Sequence, residues 1–489
     1  MIEPNQFRRT KIIATIGPAS NNEATIEAMM VRGVNVFRLN FSHVRQYEVP
    51  LATIGIIRAL NKKLGLNTAI FGDLQGPKIR IGEIENGIDE LVVGENLIFS
   101  TEPCVGNAKK VHLTYEDFPK DVKKGDVILM DDGKLKLEAI SSNGTTEVVA
   151  KVISGGELKP KKGVNLPNTN VSMPSLTEKD RLDLEFIIEQ DLDWVALSFV
   201  REAKDIDELK AIIAKSGKDI KIIAKIEKPQ AVEPQNLAAI IHATDVVMVA
   251  RGDLGVEVEI EQLPILQKMI VRECRQHAKP VIVATQMLEG MEKGFMPTRA
   301  EVMDVSNAIL DGADALMLSG ETASGINPPN VIEMMHKIIV TVEQSLYEYN
   351  YKGIPTQQGD TMFVADSICY DATHLAQRIS AKAIIAMTAS GYTAQKISSY
   401  RPKAPIFVFT DNPKLIMRTS LTWGARAFLY DAFVSTDATV KDVIDELKAQ
   451  NLLEVGDLVV NTGSMPIDLK GSTNMLKVSQ VQSGDSARH

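Results

Sequence analysis

Eight short apolar runs between residues 12 and 318 each end in a polar cluster of chemically reactive side chains. In chain order, the clusters read TIGP, RLNFSH, DLQGPKIR, SFVR, KIEK, RGDLG, TQML and LSGET. Runs such as VVMVA at 246–250 are apolar at every position, as in parallel strands that are buried on both faces. The pattern predicts an α/β fold, a (β/α)8 TIM barrel whose active site lies at the carboxyl ends of its strands.

The spacing of these runs indicates where the barrel is interrupted. Predicted strands begin near Ile12, Val34, Thr68, Trp194, Ile222, Val246, Val281 and Ala315. Most starts lie about 22 to 35 residues apart, enough for one strand, one helix and two loops. The exception is the 126-residue interval after the third start, of which roughly 95 residues form an insertion. Turn signals such as DDG and SNG between short alternating runs predict a small β domain there.

Four parts of the chain are predicted from these signals. We expect a catalytic barrel over residues 1–74 and 171–350, and an inserted small β-barrel domain, residues 75–170, lying as a lid over the barrel mouth. The stretch GIPTQQGD has linker composition, and a C-terminal α/β regulatory domain is predicted over 351–480. The polar residues 481–489 are expected to be disordered.

The overall charge limits the classes of partner. A chain of 489 residues with a formal charge of −9 does not attract phosphate backbones or anionic lipids, so we expect no nucleic-acid and no membrane partner. The three cysteines are far apart and have no metal-ligand spacing. No apolar stretch reaches the length of a signal peptide or a membrane span. A cytoplasmic protein is therefore expected.

The second cluster, FRLNFSH, places three polar side chains on one face of a strand. Because alternate residues of a strand point the same way, Arg38, Asn40 and Ser42 present a guanidinium, an amide and a hydroxyl together. This set suits a phosphate or a cation. A solvated strand end explains the same residues equally well.

Lys225 and Glu227 have the same two-residue relation after the apolar run IKIIA. A buried lysine beside a carboxylate can be an electrophile next to a metal ligand, a Schiff-base nucleophile or a structural ion pair. Asp253, one strand further on, supplies a second carboxylate. Two carboxylates completed by substrate oxygens and water suit Mg²⁺, with Mn²⁺ as a substitute, so we favour a metal site.

Three further clusters end strands with groups able to bind an anion or move a proton. The turn at Gly252 allows backbone N–H groups around Asp253 to receive a substrate carboxylate. Thr285 and the pair Ser319 and Glu321 suit the positioning of a proton-relaying water. Taken singly, residues of this kind are more often helix caps or turn residues than parts of a site.

Two basic or hydroxyl-rich segments suit phosphorylated ligands. Lys78 and Arg80 at one end of the insertion, and Lys162 at the other, would form an entry site for a nucleoside diphosphate if both ends return to the barrel rim. A solvated basic turn is the alternative. In the C-terminal region, hydroxyls and amides precede a predicted helix and suit a phosphorylated effector, or a simple helix cap. These residues are Thr388, Ser390, Gly391 and Thr393.

In this order, the clusters resemble those of the pyruvate kinase family over about residues 8 to 480. The resemblance rests on KIIATIGPAS, FRLNFSH, GDLQGPKIR, KKGVNLP, KIIAKIEK, VMVARGDLGVE, VIVATQMLE, PTRAEVMDVSNAILDGADALMLSGETA and TASGYTAQKISSYRP. It implies a homotetrameric phosphotransferase that carries the phosphoryl group of phosphoenolpyruvate to ADP in the last step of glycolysis. Such a transfer depends mainly on positioning and on neutralisation of charge.

The resemblance also implies roles for individual residues. Arg38 would bind the substrate phosphate, and Lys225 would stabilise the transferring phosphoryl group and the enolate. Glu227 and Asp253 would hold Mg²⁺, and Thr285 would lie beside the enol that is protonated. The substrate carboxylate would bind to amides at Gly252 and Asp253. The residues that match the nucleotide side are Asn40, His43, Arg80 and Lys162.

Two positions depart from the family pattern. Many members carry glutamate where this chain has Lys78, together with a potassium ion. That ion lies near the positions that match Asn40, Ser42, Asp73 and the carbonyl of Leu74. We hypothesise that the Lys78 ammonium supplies the charge of that ion, so that potassium is not required. Val44 replaces a glycine and restricts φ at the turn that carries His43.

Two other functions remain open from the residues alone. A barrel lyase or aldolase would use Lys225 as a Schiff-base nucleophile, or the two carboxylates as a metal site for a pyruvate enolate. An inactive relative that senses metabolites would use only the C-terminal hydroxyl-rich loop. The second is disfavoured because every matched catalytic position carries a residue of the required type.

Overall fold

A computed structural model of the chain describes residues 7–345, 354–355, 362–432, 435–466 and 473–483. Eight parallel strands form one closed barrel in which each strand pairs with its neighbours in the chain and the last pairs with the first. The barrel strands are β1 (Lys11–Ile16), β2 (Val36–Asn40), β3 (Ala69–Asp73), β4 (Trp194–Val200), β5 (Lys221–Ile226), β6 (Val246–Ala250), β7 (Val281–Ala284) and β8 (Ala315–Leu318). Each begins within two residues of its predicted start, and the predicted barrel is confirmed.

Helices and short 3₁₀ turns connect the barrel strands. The α-helices are Glu23–Val31, Glu48–Leu64, Glu178–Glu189, Ala203–Lys215, Pro229–Val232, Pro234–Ala243, Arg251–Glu257, Leu263–Gln276, Arg299–Asp311, Gly320–Ala323 and Pro328–Ser345. The 3₁₀ turns of this part are Phe41–His43, Ile260–Gln262 and Glu289–Glu292. Their apolar faces pack on the outside of the strands in one large buried cluster. None of the described helices combines the length and the apolar character that crossing a bilayer requires.

The insertion between β3 and β4 forms a separate β unit with its own apolar core. Its six-stranded sheet has the order Val164–Asn165, Val127–Met130, Leu135–Ser142, Glu147–Ser154, Asn96–Ser100, Lys110–His112. A two-stranded sheet pairs Gly156–Leu158 with Asp89–Leu91, and the unit also has a helix, Phe118–Asp121, and a 3₁₀ turn, Glu85–Gly87. A bridge between Arg80 and Gly163 joins the two ends of the insertion beside the barrel.

The C-terminal unit is a five-stranded sheet with helices on it. The strand order is Ala425–Leu429, Ile406–Thr410, Ala383–Met387, Leu458–Gly463, Met475–Gln480, and only the last strand is antiparallel. Its helices are Phe363–Arg378, Tyr392–Ser399, Pro413–Arg418 and Thr436–Ala449, with a 3₁₀ turn at Thr419–Leu421. The predicted C-terminal α/β unit is thus confirmed.

The two predictions for the segments around this unit fall largely outside the described residues. Most of the predicted linker, 353–360, and residues 484–489 of the predicted tail are not described. Val481, which we placed in the tail, is 1% exposed and packs in the core of the C-terminal unit. Its N–H donates to the carbonyl of Asp457, so ordered structure continues into the segment expected to be disordered.

The interior of the barrel is filled by alternate residues of the strands. Its buried members are Ile13, Val36, Ala69, Phe71, Trp194, Ala196, Ile223, Val246, Met248, Ile282, Ala284, Ala315 and Met317. Leu421 of the C-terminal unit belongs to the same cluster and closes the amino-terminal end of the barrel. The opposite end, where the strands finish, is therefore the one left for chemistry.

Buried charges join the barrel to the C-terminal unit at its amino-terminal end. Arg401 lies 3.0 Å from Asp314, and the Lys11 ammonium donates to the carbonyl of Ala425 at 2.7 Å. Burial, and then the charge of Arg8, lower the pKa of Lys11 to about 7. Lys11 is therefore charged in the folded protein only below that pH, whereas in the unfolded chain it keeps its proton to about pH 10.

Replacement of Lys11 by methionine should change the pH dependence of stability. The cost of burying the ammonium is fully present below pH 7 and is lost as the pH rises toward 10.5, the ordinary pKa of lysine. The free energy of unfolding of the variant should therefore exceed that of the parent chain by the largest amount at low pH. The difference in free energy of unfolding between the variant and the parent, measured with urea, should fall by on the order of 3 kcal/mol between pH 6 and pH 9.5. An advantage that does not change with pH would contradict the assigned pKa.

Candidate active site

The side chains at the mouth of the barrel follow the same strand alternation as those that fill its interior. Because side chains repeat every two residues, the residue two positions beyond an interior member also points inward. At the carboxyl ends of β1 to β5, the residues in this relation are Thr15, Arg38, Asp73, Ser198 and Lys225. All five are polar, and they contact one another in the structure.

Lys225 is the centre of this cluster. Its Nζ donates to Ser198 Oγ at 2.7 Å and lies 2.9 Å from Glu227 Oε1 and 3.3 Å from Asp73 Oδ1. The residue is 8% exposed. Burial lowers its pKa, but the carboxylates of Asp73 and Glu227 outweigh that effect and raise the pKa above the ordinary value. Lys225 is held as an ammonium ion, which is the form needed to neutralise an anion and not the form that attacks a carbonyl.

Asp73 joins the two cations of the site. It is 1% exposed, its Oδ2 accepts from Nε of Arg38 at 2.7 Å, and Nη2 of the same guanidinium also lies at 2.7 Å. Arg38 Nη1 donates to Thr15 Oγ1 at 3.2 Å. Burial raises the pKa of Asp73, and the charges of Lys225 and Arg38 lower it further than burial raises it. Asp73 is therefore a charged residue that fixes the separation of the ammonium and the guanidinium.

Glu227 is fully buried, and only one of its two carboxylate oxygens accepts a hydrogen bond from the backbone. Its Oε2 accepts from the N–H of Phe199 at 2.6 Å. Oε1 faces Lys225 but, like Oδ1 of Asp73, has no hydrogen bond of good geometry. Burial, and the nearby Asp253, raise the pKa of Glu227 against the opposing effect of Lys225. A buried carboxylate beside a second acid, with one oxygen held only by an ion pair, is the kind of group that a hard divalent cation binds.

Asp253 follows β6 in the first turn of the helix Arg251–Glu257, and 36% of its side chain is exposed. Within the described ranges, no three His, Cys, Asp or Glu side chains converge as a metal-binding group. Glu227 and Asp253 alone could hold an ion that takes its remaining ligands from substrate and water. Mg²⁺ binds in this way, whereas structural Zn²⁺ requires four protein ligands.

Thr285 has an unusual backbone conformation. Its φ is 69° and that of Gln286 is 53°, both in the left-handed region that a β-branched residue rarely adopts. Such a conformation costs about 1–3 kcal/mol and occurs mostly at functional sites. The Thr285 hydroxyl donates to the Ala284 carbonyl at 2.6 Å and accepts from the Gly252 N–H at 2.8 Å. The amide of Gly252, predicted to receive a carboxylate, is thus engaged by Thr285 in this structure.

Ser319 and Glu321 form a turn at the end of β8. The Glu321 carboxylate accepts from the N–H of Ser319 at 2.6 Å and from the N–H of Leu288 at 3.1 Å. Both oxygens therefore bind backbone, which is the turn-residue alternative considered above. Burial raises the pKa of Glu321. It holds the loops after β7 and β8 together, and the predicted water relay is left without a free carboxylate oxygen on this residue.

The residues predicted for the nucleotide side lie on the insertion and on the turn after β2. Arg80 Nη1 donates to the Lys161 carbonyl at 3.0 Å, and Lys162 Nζ pairs with Asp131 at 2.7 Å. His43 is exposed at the end of the 3₁₀ turn Phe41–His43. The φ of Val44 is −78°, an ordinary value, so the replacement of glycine there introduces no strain.

The groups predicted for a monovalent cation are partly used within the protein. Asn40 Oδ1 accepts from the N–H of Ser42 at 3.2 Å, and the carbonyl of Leu74 accepts from Ser198 Oγ at 2.7 Å. The Lys78 ammonium lies 4.0 Å from Asp253 Oδ1. The ammonium of Lys78 is therefore beside a candidate ligand of the divalent ion, and its replacement of the monovalent ion stays a prediction.

The loop predicted to bind an effector is held by its own hydrogen bonds. Thr388 Oγ1 accepts from the N–H of Gly391 at 3.0 Å, and Gly391 has φ 89°. Ser390 Oγ accepts from the N–H of Tyr392 at 3.4 Å, and the hydroxyl of the buried Thr393 lies 2.6 Å from that of Thr473. The hydroxyls of Thr388 and Ser390 thus hold the turn before the helix Tyr392–Ser399, and that of Thr393 bonds Thr473.

Sequence reasoning overlooked four contributors to the site, the first of which is Thr15, the partner of Arg38. Ser198 and the backbone N–H of Phe199 bind Lys225 and Glu227, and the Arg251 side chain binds the turn that carries Thr285. SFVR was recognised as a cluster, but its register shift within β4, where Phe199 has φ 54°, has no glycine to signal it. The sequence gives no sign that the Arg251 side chain binds this turn.

Comparison with known proteins shows the family to which the chain belongs. The family model for the pyruvate kinase barrel domain matches residues 7–332, and that for the pyruvate kinase alpha/beta domain matches 366–479. A pyruvate kinase of Geobacillus stearothermophilus is 42% identical over 96% of this chain and 80% of its own length. One of Corynebacterium efficiens is 40% identical over 96% and 97%.

A solved structure is similar over the same extent. The crystal structure of a pyruvate kinase from Cryptosporidium parvum superposes with a TM-score of 0.89 at 32% identity, and covers 97% of this chain and 96% of that one. Both the barrel and the C-terminal unit are therefore shared with known pyruvate kinases. The chain belongs to the pyruvate kinase family.

Proposed function

We propose that the cluster around Lys225 transfers the phosphoryl group of phosphoenolpyruvate to ADP, giving pyruvate and ATP. The observation that carries this proposal is the juxtaposition of two cations, Lys225 and Arg38, with the carboxylates of Asp73 and Glu227. Phosphoryl transfer needs positive charge around a PO₃ group that moves between two anions. A buried ammonium and a guanidinium held apart by one aspartate provide it without rearrangement during the reaction.

Glu227 and Asp253 would hold Mg²⁺, which when bound supplies further neutralisation of the phosphoryl and enolate oxygens. Lys225 stabilises the charge that develops on the enolate oxygen, and it keeps its proton because two carboxylates raise its pKa. Arg38 binds the phosphate of the substrate. The amides at Gly252 and Asp253 bind the substrate carboxylate. The Gly252 N–H, which donates to the Thr285 hydroxyl at 2.8 Å, is shared between that hydroxyl and the carboxylate.

Protonation of the enol is assigned to the side of the site that carries Thr285. Its hydroxyl is placed by Gly252 and Ala284, and it holds the proton donor, or a water in that role, beside C3 of the enol. Ser319 and Glu321 act indirectly, because the Glu321 carboxylate fixes the loop that follows β7.

The insertion, residues 75–170, is proposed to act as a lid that carries the nucleotide-binding Arg80 and Lys162. A hydrogen bond of 2.8 Å from Asn165 Nδ2 to Glu257 Oε1 supports this, because it ties the insertion to the helix that bears Asp253. Lys228 binds the same oxygen at 2.7 Å. Closing the lid would exclude water from the phosphoryl group.

A coupled assay with phosphoenolpyruvate, ADP and Mg²⁺, in which pyruvate is reduced by lactate dehydrogenase, tests the proposed transfer. Production of pyruvate that depends on all three components supports it. Borohydride trapping with pyruvate addresses the lyase alternative, since an imine on Lys225 would overturn the ammonium role. Absence of turnover with intact folding would favour an inactive, metabolite-sensing relative.

Replacing potassium by tetramethylammonium should leave kcat within about twofold of its value in potassium. The Lys78 ammonium is 4.0 Å from Asp253 and supplies the charge that the ion supplies in other members. The Lys78→Glu variant should acquire a potassium requirement, with kcat falling about 10-fold or more in tetramethylammonium, because a like charge beside Asp253 calls for a counterion. A large loss in the parent chain on removal of potassium would refute the role of Lys78.

Three further parts of the proposal concern assembly, regulation and cellular location. A homotetramer is proposed from family membership. A phosphorylated effector is proposed at the loop that carries Thr388 and Ser390, since amides and hydroxyls there precede the helix Tyr392–Ser399. A cytoplasmic location is supported by three free cysteines, two of them buried.

A further inference from the structure

The Arg251 side chain grips the backbone of the strained turn at Thr285. Its Nε donates to the Ala284 carbonyl at 3.1 Å, and its Nη2 donates to the Thr285 carbonyl at 2.5 Å. Only 9% of the residue is exposed, so these bonds are shielded from water. Two successive carbonyls on one guanidinium fix the orientation of the two peptide planes on either side of Thr285.

The other edge of the guanidinium is anchored from outside the site. Nη1 donates to Asp304 Oδ1 at 2.7 Å and to Gln267 Oε1 at 3.4 Å. The planar group is thus held by two helices, Leu263–Gln276 and Arg299–Asp311, while it holds the turn after β7. A lysine ammonium, which has three donors at a single point, cannot span these partners together.

The adjacent residue completes the arrangement. The Gly252 N–H donates to Thr285 Oγ1 at 2.8 Å, so one dipeptide sets both the backbone and the hydroxyl of Thr285. The left-handed φ of 69° is unfavourable for a threonine and requires such external support.

We infer that Arg251 is a positioning residue that acts on proton transfer at the enol through Thr285, without touching the substrate. This inference rests on the proposed function, in which Thr285 lies beside C3 of the enol. It goes beyond that function because it makes Arg251, whose side chain binds the loop and not the substrate, responsible for the position of Thr285 beside the enol.

The test is a double-mutant cycle with the full-length protein, using Arg251→Lys, Thr285→Val and the combined variant. Exchange of the methyl protons of pyruvate with D₂O, with Mg²⁺ and ATP present, is followed by NMR. Exchange breaks a C3–H bond and remakes it with a solvent deuteron, so it reports proton transfer without net phosphoryl transfer. The kcat and KM for phosphoenolpyruvate are measured in parallel.

Arg251→Lys should lower the exchange rate and kcat by roughly 10- to 100-fold, the scale of loss expected when a catalytic group is displaced by about 1 Å. The KM for phosphoenolpyruvate should change by less than about threefold, because the groups that bind its phosphate are untouched. The combined variant should be within about threefold of Thr285→Val alone, since both changes remove one function. The inference would be overturned if the loss of exchange in the combined variant equalled the product of the losses in the two single variants. It would also be overturned if Arg251→Lys kept the exchange rate of the parent.

Two further variants keep the test decisive. Asp304→Asn leaves the guanidinium in place and removes its charged anchor, and it should show a smaller loss of exchange in the same direction if Arg251→Lys does not fold. Arg272→Lys, at an exposed arginine 3.4 Å from Glu273, is the matched control and should behave as the parent chain. A parent chain that fails to transfer phosphate to ADP would instead refute the proposed function.

Discussion

Replacement of Lys225 by methionine should lower kcat by at least about 10³-fold, with the protein still folded. In the proposed transfer, the ammonium faces the oxygens on which charge develops. Removal of one preorganised donor of this kind costs 10²–10³-fold even where the donor is neutral. The loss should exceed that range because the variant also leaves Asp73 and Glu227 facing each other without their shared cation. Steady-state kinetics in the coupled assay measures it.

A matched control separates this loss from the general effect of removing a lysine in the barrel. Lys279 is also largely buried, at the opposite end of the barrel, where its ammonium donates to the Thr244 carbonyl. Lys279→Met should keep kcat within about threefold of the parent at a temperature where both variants are folded. Equal losses in the two variants would show that the Lys225 effect is structural.

Replacement of Glu227 by glutamine should weaken binding of the divalent ion by on the order of 10²-fold or more. The amide keeps the shape of the side chain but removes its charge, and its NH₂ group would face the Lys225 ammonium at the place of an oxygen. Titration with Mn²⁺, with the free ion measured by electron paramagnetic resonance, gives the dissociation constant without relying on turnover. The kcat at saturating Mg²⁺ should fall as well.

Glu343→Gln is the comparison for this variant. Glu343 is a buried glutamate at the amino-terminal end of the barrel, where it accepts from the N–H groups of Arg9 and Thr10. Its replacement should leave the Mn²⁺ dissociation constant unchanged even if stability falls. Unaltered Mn²⁺ binding by Glu227→Gln would remove Glu227 from the metal site.

The part of the site that lies within single strands was predictable from the sequence. Lys225 and Glu227 are two residues apart, and strand alternation alone places them on one side. Asp253 follows the next strand, so parallel neighbours bring it to the same edge. The register between β5 and β6, which pairs Lys225 with Met248, confirms that relation.

The partners that come from distant segments were harder to predict. Asp73 was expected only as a ligand of a monovalent ion, but in the structure it is the counterion between Arg38 and Lys225. That role depends on the pairing of β3 with β4, two strands separated in sequence by the whole insertion. No local pattern reveals which charges meet when a barrel closes across so long an interval.

The turns were the least predictable element. The left-handed conformations at Phe199 and Thr285 place a backbone N–H on Glu227 and a hydroxyl beside Gly252. Neither residue is a glycine or an asparagine, the residues by which such turns are usually recognised. The structure explains the conformation at Thr285 by the bonds that Arg251 makes to the surrounding carbonyls.

Crystals grown with Mn²⁺ and phosphoenolpyruvate would show, by anomalous scattering from manganese, whether Glu227 and Asp253 bind the same ion. We predict a single strong peak in the barrel mouth within bonding distance of Glu227 Oε1 and a carboxylate oxygen of Asp253, with Lys225 directed at the substrate. A peak bound elsewhere, or carboxylates at 227 and 253 that bind no common ion, would contradict the site proposed for this enzyme.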